Sequence, residues 1–442
     1  MKRLILILTL LLSVLLITSC GKKDKENEIT DVRVLNVYNW GEYISDGFEG
    51  SYDTNAEFEK YFNENLAEKY GYKIKVNYTT YATNEDMYSK LSSGAGDGVY
   101  DVIFPSDYML QRMADEGMLY EFDVAASIPN YANIDDEFKG LYYDPNQRYS
   151  VPYTYGMVGI IYNPTLMNEN DLDENGEIKV KSWSLLWNKD YAGKILQFNN
   201  PRDAFATAML YHGIDINTNN RDEWEAARGY LKEQKPLLQG YVNDEIFNKM
   251  TSASAAIAPY FAGDYITMTA DNEDLKFYYP EEGTNIFVDA MCIPKSSQNK
   301  DAAIEYINFM LSEDAAVANA LYIGYASPNN TVVNNEDYIG EIGEDAYEIL
   351  YGSHDGIAKS FYHSFSNEEI YGDDMQQYVN GLWEKLKTET AVEIWVHITS
   401  ITIVVALIAA CSYSIYIKKK RSVFYRNRDK KDFSQNHAKE VK

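Results

Sequence analysis

Four short stretches of the 442-residue chain set aromatic rings beside a carboxylate: Trp40-Gly41-Glu42-Tyr43, Ser106-Asp107-Tyr108, Phe261-Ala262-Gly263-Asp264 and Phe287-Val288-Asp289. These residue types suit an amine carried on an alkyl chain. A carboxylate pairs with the ammonium through charge-assisted hydrogen bonds, while the rings cover methylenes and draw the cation toward their faces. One such stretch alone is an ordinary core edge; four in one chain form a pattern. Other chemistries find little support. The five histidines (His212, His354, His363, His397 and His437) show no metal-ligand spacing, and neither His-Glu-x-x-His nor Gly-x-Ser-x-Gly occurs. Gly94-Ala95-Gly96-Asp97-Gly98 lacks the Lys-Ser/Thr ending of a phosphate loop and has acids beside it, so it reads as a turn. A secreted hydrolase remains the rival from the enzymes, and pairs such as Glu281-Glu282 are the carboxylates it would have to use. No cofactor and no metal are expected.

Each of these stretches lies where an element should end. Val34 to Tyr38 reads as a buried strand and Tyr100 to Phe104 as another that stops at Pro105. Asn55 to Tyr70 puts Phe58, Phe62 and Leu66 on one helical face, with Gly71 as the stop. Lys73 to Tyr78 alternates as a strand does, and Asn84 to Leu91 is helical. Asp301 to Leu311 turns Ala303, Ile304, Ile307, Met310 and Leu311 inward. Repeated β-α-β units predict a mostly parallel sheet covered by helices, whose ligands sit beyond the carboxyl ends of the strands.

The formal charge is −27, which excludes a nucleic-acid binder built on a basic face. Net positive charge is found at the two ends, and the region between them is strongly acidic. Lys2 and Arg3 precede an apolar run, Leu4 to Leu16, and Ile17-Thr18-Ser19-Cys20-Gly21 closes it. Residues 1–19 therefore read as an export signal, and the small residues before Cys20 resemble a lipobox, where that cysteine takes lipid. Residues 20–30 form a charged linker. Residues 394–417 hold no formal charge, are bordered by Trp395, Tyr413 and Tyr416, and run into Lys418-Lys419-Lys420-Arg421. They predict one transmembrane helix with the basic tail, residues 418–442, in the cytoplasm. The acidic body then lies outside, anchored at the cell membrane and suited to attracting cations. Cys292 and Cys411 stand in unrelated settings, so no disulfide is expected.

With these residues in view, the chain from Val34 to Lys387 resembles the bacterial spermidine/putrescine receptors of ABC importers. The landmarks are Tyr38–Tyr43, Asn84–Leu91, Tyr100–Ser106, Tyr149–Tyr153, Ser182–Trp187 and Ile323-Gly324-Tyr325, in order along the chain. The resemblance implies a two-lobed α/β fold of the type II periplasmic-binding-protein kind, with a cleft that clamps the ligand. Residues 31–151 and 287–326 would form the first lobe, and 152–286 and 327–390 the second. It implies that Trp40 and Tyr43 form an aromatic wall and that Glu42 lies near one amine. Ser106 would be a polar contact from the first lobe, Tyr108 a further ligand-binding residue, and Tyr325 a further ring. Asp203, Asp264 and Asp289 would be acids for ammonium groups, with Phe261 and Phe287 lining the alkyl part. The partners implied are a polyamine and the permease and ATPase subunits of the importer. Phe261 and Phe287 stand where spermidine-type members have tryptophan, and Asn200 where they have a further aspartate; Gly41 and Asp107 replace small hydroxyl residues. These departures favour putrescine over spermidine. A membrane-tethered sensor, or a receptor for a sugar or ferric ion, keeps the fold and changes the role.

Overall fold

The computed structural model describes residues 29–372, 374–389, 399 and 401–422. The export signal, Cys20, the first part of the expected span and the tail beyond Ser422 lie outside the described residues. Residues up to Trp383 form one compact unit, and those from Glu384 onward a second.

The strands of the first unit are β1 (Val32–Trp40), β2 (Lys73–Tyr81), β3 (Val102–Ile103), β4 (Ser150–Tyr162), β5 (Ile195–Phe198), β6 (Leu238–Val242), β7 (Ile257–Phe261), β8 (Lys276–Tyr278), β9 (Thr284–Cys292) and β10 (Lys359–Ser360). They run in the order β2-β1-β3-β9-β4-β7-β5-β6, with β10 beside β9 and β8 beside β4. Pairing is parallel among β2, β1 and β3, and again among β6, β5 and β7. These are the two lobes. Between them β4 and β9 run antiparallel, Ser150 opposite Cys292 and Met157 opposite Ile286. One end of this pair joins β3 through Cys292 and the other joins β7 through Val158 to Tyr162. The expected changes of lobe at 151/152 and 286/287 thus fall inside two continuous strands.

The helices that matter for the cleft are α1 (Thr54–Asn65), α2 (Asn84–Ser92), α3 (Asp107–Asp115), α4 (Pro201–Tyr211), α5 (Ala262–Thr269), α6 (Lys300–Met310) and α7 (Glu313–Ile323). α1 begins where Asp53 accepts the Ala56 N–H at 2.9 Å and buries Phe58 and Phe62. It is shorter than expected. The helix breaks at Leu66 and resumes for Ala67–Tyr70 before Gly71, whose φ of 76° makes it the stop. The expected strand 100–104 is also shorter. Asp101 is buried and accepts from Asn36 N at 2.9 Å and Ser297 Oγ at 2.7 Å, a side-chain lock at its start. α6 buries Ala303, Ile307 and Met310 against Leu35, Val37 and Phe58, as its period predicts.

The second unit holds the tail of α8 (Met375–Thr388) and, among the described residues beyond it, α9 (Ile401–Ser422). This exposed helix of 22 residues is long and apolar enough to cross a membrane. It passes the expected end at Ile417 and continues through Lys418–Arg421. Lysine and arginine are good helix formers, and their long stems let charge reach an interface without ending the helix.

Candidate functional site

The expected residues arrive from strand ends and from the crossing strand. Along β9 side chains alternate, so Phe287 and Asp289 share one face while Val288 packs into the first-lobe core on the other. Phe261 ends β7, and Asp264 lies in the first turn of α5. Asp203 lies in the first turn of α4, whose N-cap is Asn200. Tyr325 follows Gly324, the left-handed C-cap of α7. Tyr43 comes from the loop after β1 and is 8% exposed.

These side chains join a ladder of rings. Tyr43 and Tyr325 stand 5.8 Å apart, Tyr325 and Phe287 5.8 Å, Phe287 and Phe261 5.4 Å, all near edge-to-face. Two glycines permit the approach. A Cβ on Gly263 would lie 2.6 Å from the Tyr325 ring, and one on Gly156 2.7 Å from Phe287. Trp40 flanks the first lobe, tilted on Tyr81 at 4.7 Å and held by its indole N–H on the Phe104 carbonyl at 2.8 Å.

Two carboxylates, Asp289 and Asp264, bond to rings of this ladder, and Asp203 bonds to Tyr362 instead. The Tyr43 hydroxyl donates to Asp289 Oδ2 at 2.7 Å and meets Thr154 Oγ1 at 2.6 Å. Asp289 is 5% exposed, and its Oδ1 is buried with no hydrogen-bond partner among the described residues. Burial pushes its carboxyl up to about 6, against the opposing pull of the neighbouring Ser106 and Tyr43 hydroxyls. Asp264 accepts the Tyr325 hydroxyl at 2.7 Å, and burial pushes it up to about 7. Asp203 accepts from Asn200 Nδ2 at 2.8 Å and from the Tyr362 hydroxyl at 3.0 Å, and burial raises it as well. Among the described residues none of the three is in an ion pair, and none is exposed. An uncompensated buried carboxylate is unfavourable unless it protonates or gains a cation and hydrogen bonds.

The other expected residues are placed differently. Ser106 bridges Asp289 through its backbone, and its hydroxyl accepts from Asn84 at 3.0 Å. The Tyr108 hydroxyl donates to Glu85 at 3.0 Å. Glu42 is exposed; its left-handed backbone, φ 51°, brings its carboxylate to the Tyr322 hydroxyl at 3.2 Å. Asp107 is fully buried and ties α3 to the crossing strand by accepting from Val288 N at 3.2 Å. Burial raises its carboxyl well above the usual range, and the charge of Asp289 adds to this. Thr154, Tyr362, Glu85 and Arg202 were not singled out from the sequence. Glu85 lies in the quoted stretch Asn84–Leu91, and Arg202 adjoins Asp203; Thr154 and Tyr362 carry no local signal. The stretch Gly94–Gly98 is a turn, as expected.

Comparison with known proteins agrees with this architecture. The family model for bacterial extracellular solute-binding proteins matches residues 57–342. The spermidine/putrescine-binding periplasmic protein of Escherichia coli is 31% identical over 299 residues, covering 68% of this chain and 78% of that protein. The putrescine-binding periplasmic protein of the same organism is 27% identical over 311 residues, covering 67% and 78%. Among solved structures, the spermidine/putrescine ABC transporter substrate-binding protein of Streptococcus pneumoniae superposes with a TM-score of 0.63 at 28% identity, covering 80% of this chain and 98% of that one. A two-lobed sheet with crossing strands and strand-end carboxylates thus coincides with sequence likeness over most of the body, and the chain belongs to the bacterial extracellular solute-binding proteins, in their spermidine/putrescine-binding group.

Proposed function

We propose that this protein captures a polyamine between its lobes, putrescine in preference to spermidine, and delivers it to the permease and ATPase subunits of an ABC importer. The observation that carries this reading is Asp289: a buried carboxylate with one oxygen unpartnered, at the edge of a ladder of rings. A diamine has amine pKa values near that of lysine, about 10.4, so it is dicationic at neutral pH. One ammonium would pair with Asp289 and the other with Asp264, while Tyr43, Tyr325, Phe287 and Phe261 cover the methylenes between. A desolvated cation over a ring contributes about 2 kcal/mol. Relatives named for spermidine/putrescine and for putrescine alone support the class of ligand. Ligand closure would bring both lobes into the arrangement that docks on the permease. The family is one of binding proteins, which favours capture over the hydrolase alternative. Cys20 and α9 would anchor the receptor on the extracytoplasmic side, with its basic tail in the cytoplasm.

A thermal-shift screen of amines, amino acids, sugars and metals tests the class: putrescine or spermidine should give the large shift, and chelator should leave it intact. Stabilisation by a sugar or ferric ion alone would refute the reading. In calorimetry Asp289→Asn should weaken putrescine binding at least tenfold while the fold is kept. Truncating one partner of a buried charged pair costs about 2–5 kcal/mol.

A further inference from the structure

Asp203 differs from the other two carboxylates in one respect: both of its oxygens already accept hydrogen bonds from this chain. Oδ2 takes the Asn200 amide at 2.8 Å and Oδ1 the Tyr362 hydroxyl at 3.0 Å. Asp289 keeps Oδ1 unpartnered, and Asp264 accepts only on Oδ2 among the described residues. A fixed cation also lies beside Asp203. Arg202 is 9% exposed, and its guanidinium packs 4.2 Å over the Tyr108 ring and 4.6 Å over that of Phe365. It donates to the His363 carbonyl at 3.1 Å and to Gln376 Oε1 at 3.4 Å.

Tyr362 is held from both lobes. Tyr142 donates to its carbonyl, and Gln111 Oε1 on α3 accepts Ser364 N at 2.9 Å. From the second lobe, Asn217 donates to the Phe361 carbonyl at 2.7 Å and accepts His363 N at 2.7 Å. The segment 361–364 therefore sets the phenol against Asp203 by backbone anchors on either side. A further ammonium arriving there would have to displace the phenol and sit near Arg202, with its hydration incompletely replaced.

We propose that Tyr362 is a specificity-determining residue: its hydroxyl, with Asn200 and Arg202, fills the Asp203 end of the cleft, so the site takes diamines and discriminates against triamines. This rests on the polyamine reading and adds to it the residue that limits ligand length. Binding is measured by titration calorimetry on the full chain in detergent, with putrescine and spermidine as probes. In Tyr362→Phe the ratio of spermidine to putrescine affinity should rise at least tenfold, and adding Asp203→Asn should abolish the rise. Tyr362→Leu, which also lacks the hydroxyl, should shift the ratio in the same direction. Thermal melting checks that each variant is folded. An unchanged ratio in folded Tyr362→Phe or Tyr362→Leu overturns the role of Tyr362; if Asp289→Asn still weakens putrescine, the polyamine reading stands without it. Failure of the unsubstituted protein to bind either amine overturns both.

Discussion

At the scale of single residues, the raised carboxyls should make the proposed ligand capture depend on pH. Asp264 is pushed up to about 7 and Asp289 to about 6, each first by burial. An ammonium needs them ionised, so binding should release protons when measured between pH 6 and 7. Putrescine affinity should strengthen as pH rises from 5.5 to 8; a flat profile in calorimetry would count against both groups. The ligand-free protein should respond in the opposite sense. An acid whose folded pKa lies above its unfolded value holds its proton longer when folded. These two groups therefore favour the folded state more at pH 5 than at pH 8, and saturating putrescine should remove that difference. The rings and acids of this site were legible because their types cluster within a few residues, as in Phe287-Val288-Asp289. Tyr362 and Thr154 were not: their partners Asp203 and Tyr43 lie 159 and 111 positions away. Glu42 shows the converse. It adjoins Tyr43 in sequence, yet one left-handed residue carries its carboxylate to Tyr322.

At the scale of elements, the recurring device is a strand that ends and a helix that starts. Asp264 and Asp203 occupy first helical turns after β7 and β5, where unpaired N–H groups favour negative charge. Strand ends and helix starts could be placed from apolar runs, prolines and glycines, so β1, β2, α2 and α6 fell close to expectation. Tertiary bonds override periodicity at Asp101, which shortens β3, while a local break at Leu66, φ −117°, splits one expected helix into two. α5 is sensitive to bulk. Gly263→Ala would set a methyl 2.6 Å from the Tyr325 ring, closer than real contacts allow. The ring or the helix must then shift, loosening the bond from Tyr325 to Asp264. Overpacking of this kind costs about 1–3 kcal/mol. The expected outcome is a lower melting temperature together with at least tenfold weaker putrescine binding; unchanged binding would place the Tyr325 contact outside the site.

At the scale of the whole molecule, charge and anchoring come forward. With −27 overall and its positive clusters at the two ends, the acidic body should hasten the arrival of cations. The association rate for putrescine should fall roughly tenfold between low and high salt, with dissociation much less affected. Stopped-flow measurements would read both. The proposed double anchoring makes a separate prediction. Either Cys20→Ala or removal of residues 401–442 should leave the protein in the membrane fraction, and only the two together should release it on fractionation. Release by one change alone would assign the tether to that end. The crossing pair of β4 and β9 carries a longer consequence. Phe287 and Asp289 lie on β9 itself, opposite Gly156 and Thr154 of β4. On the proposed mechanism, the strand that would flex as the clamp shuts would also read the cargo. Selection for a new nutrient at these positions would therefore retune how readily the clamp shuts, so taste and mechanics must evolve together.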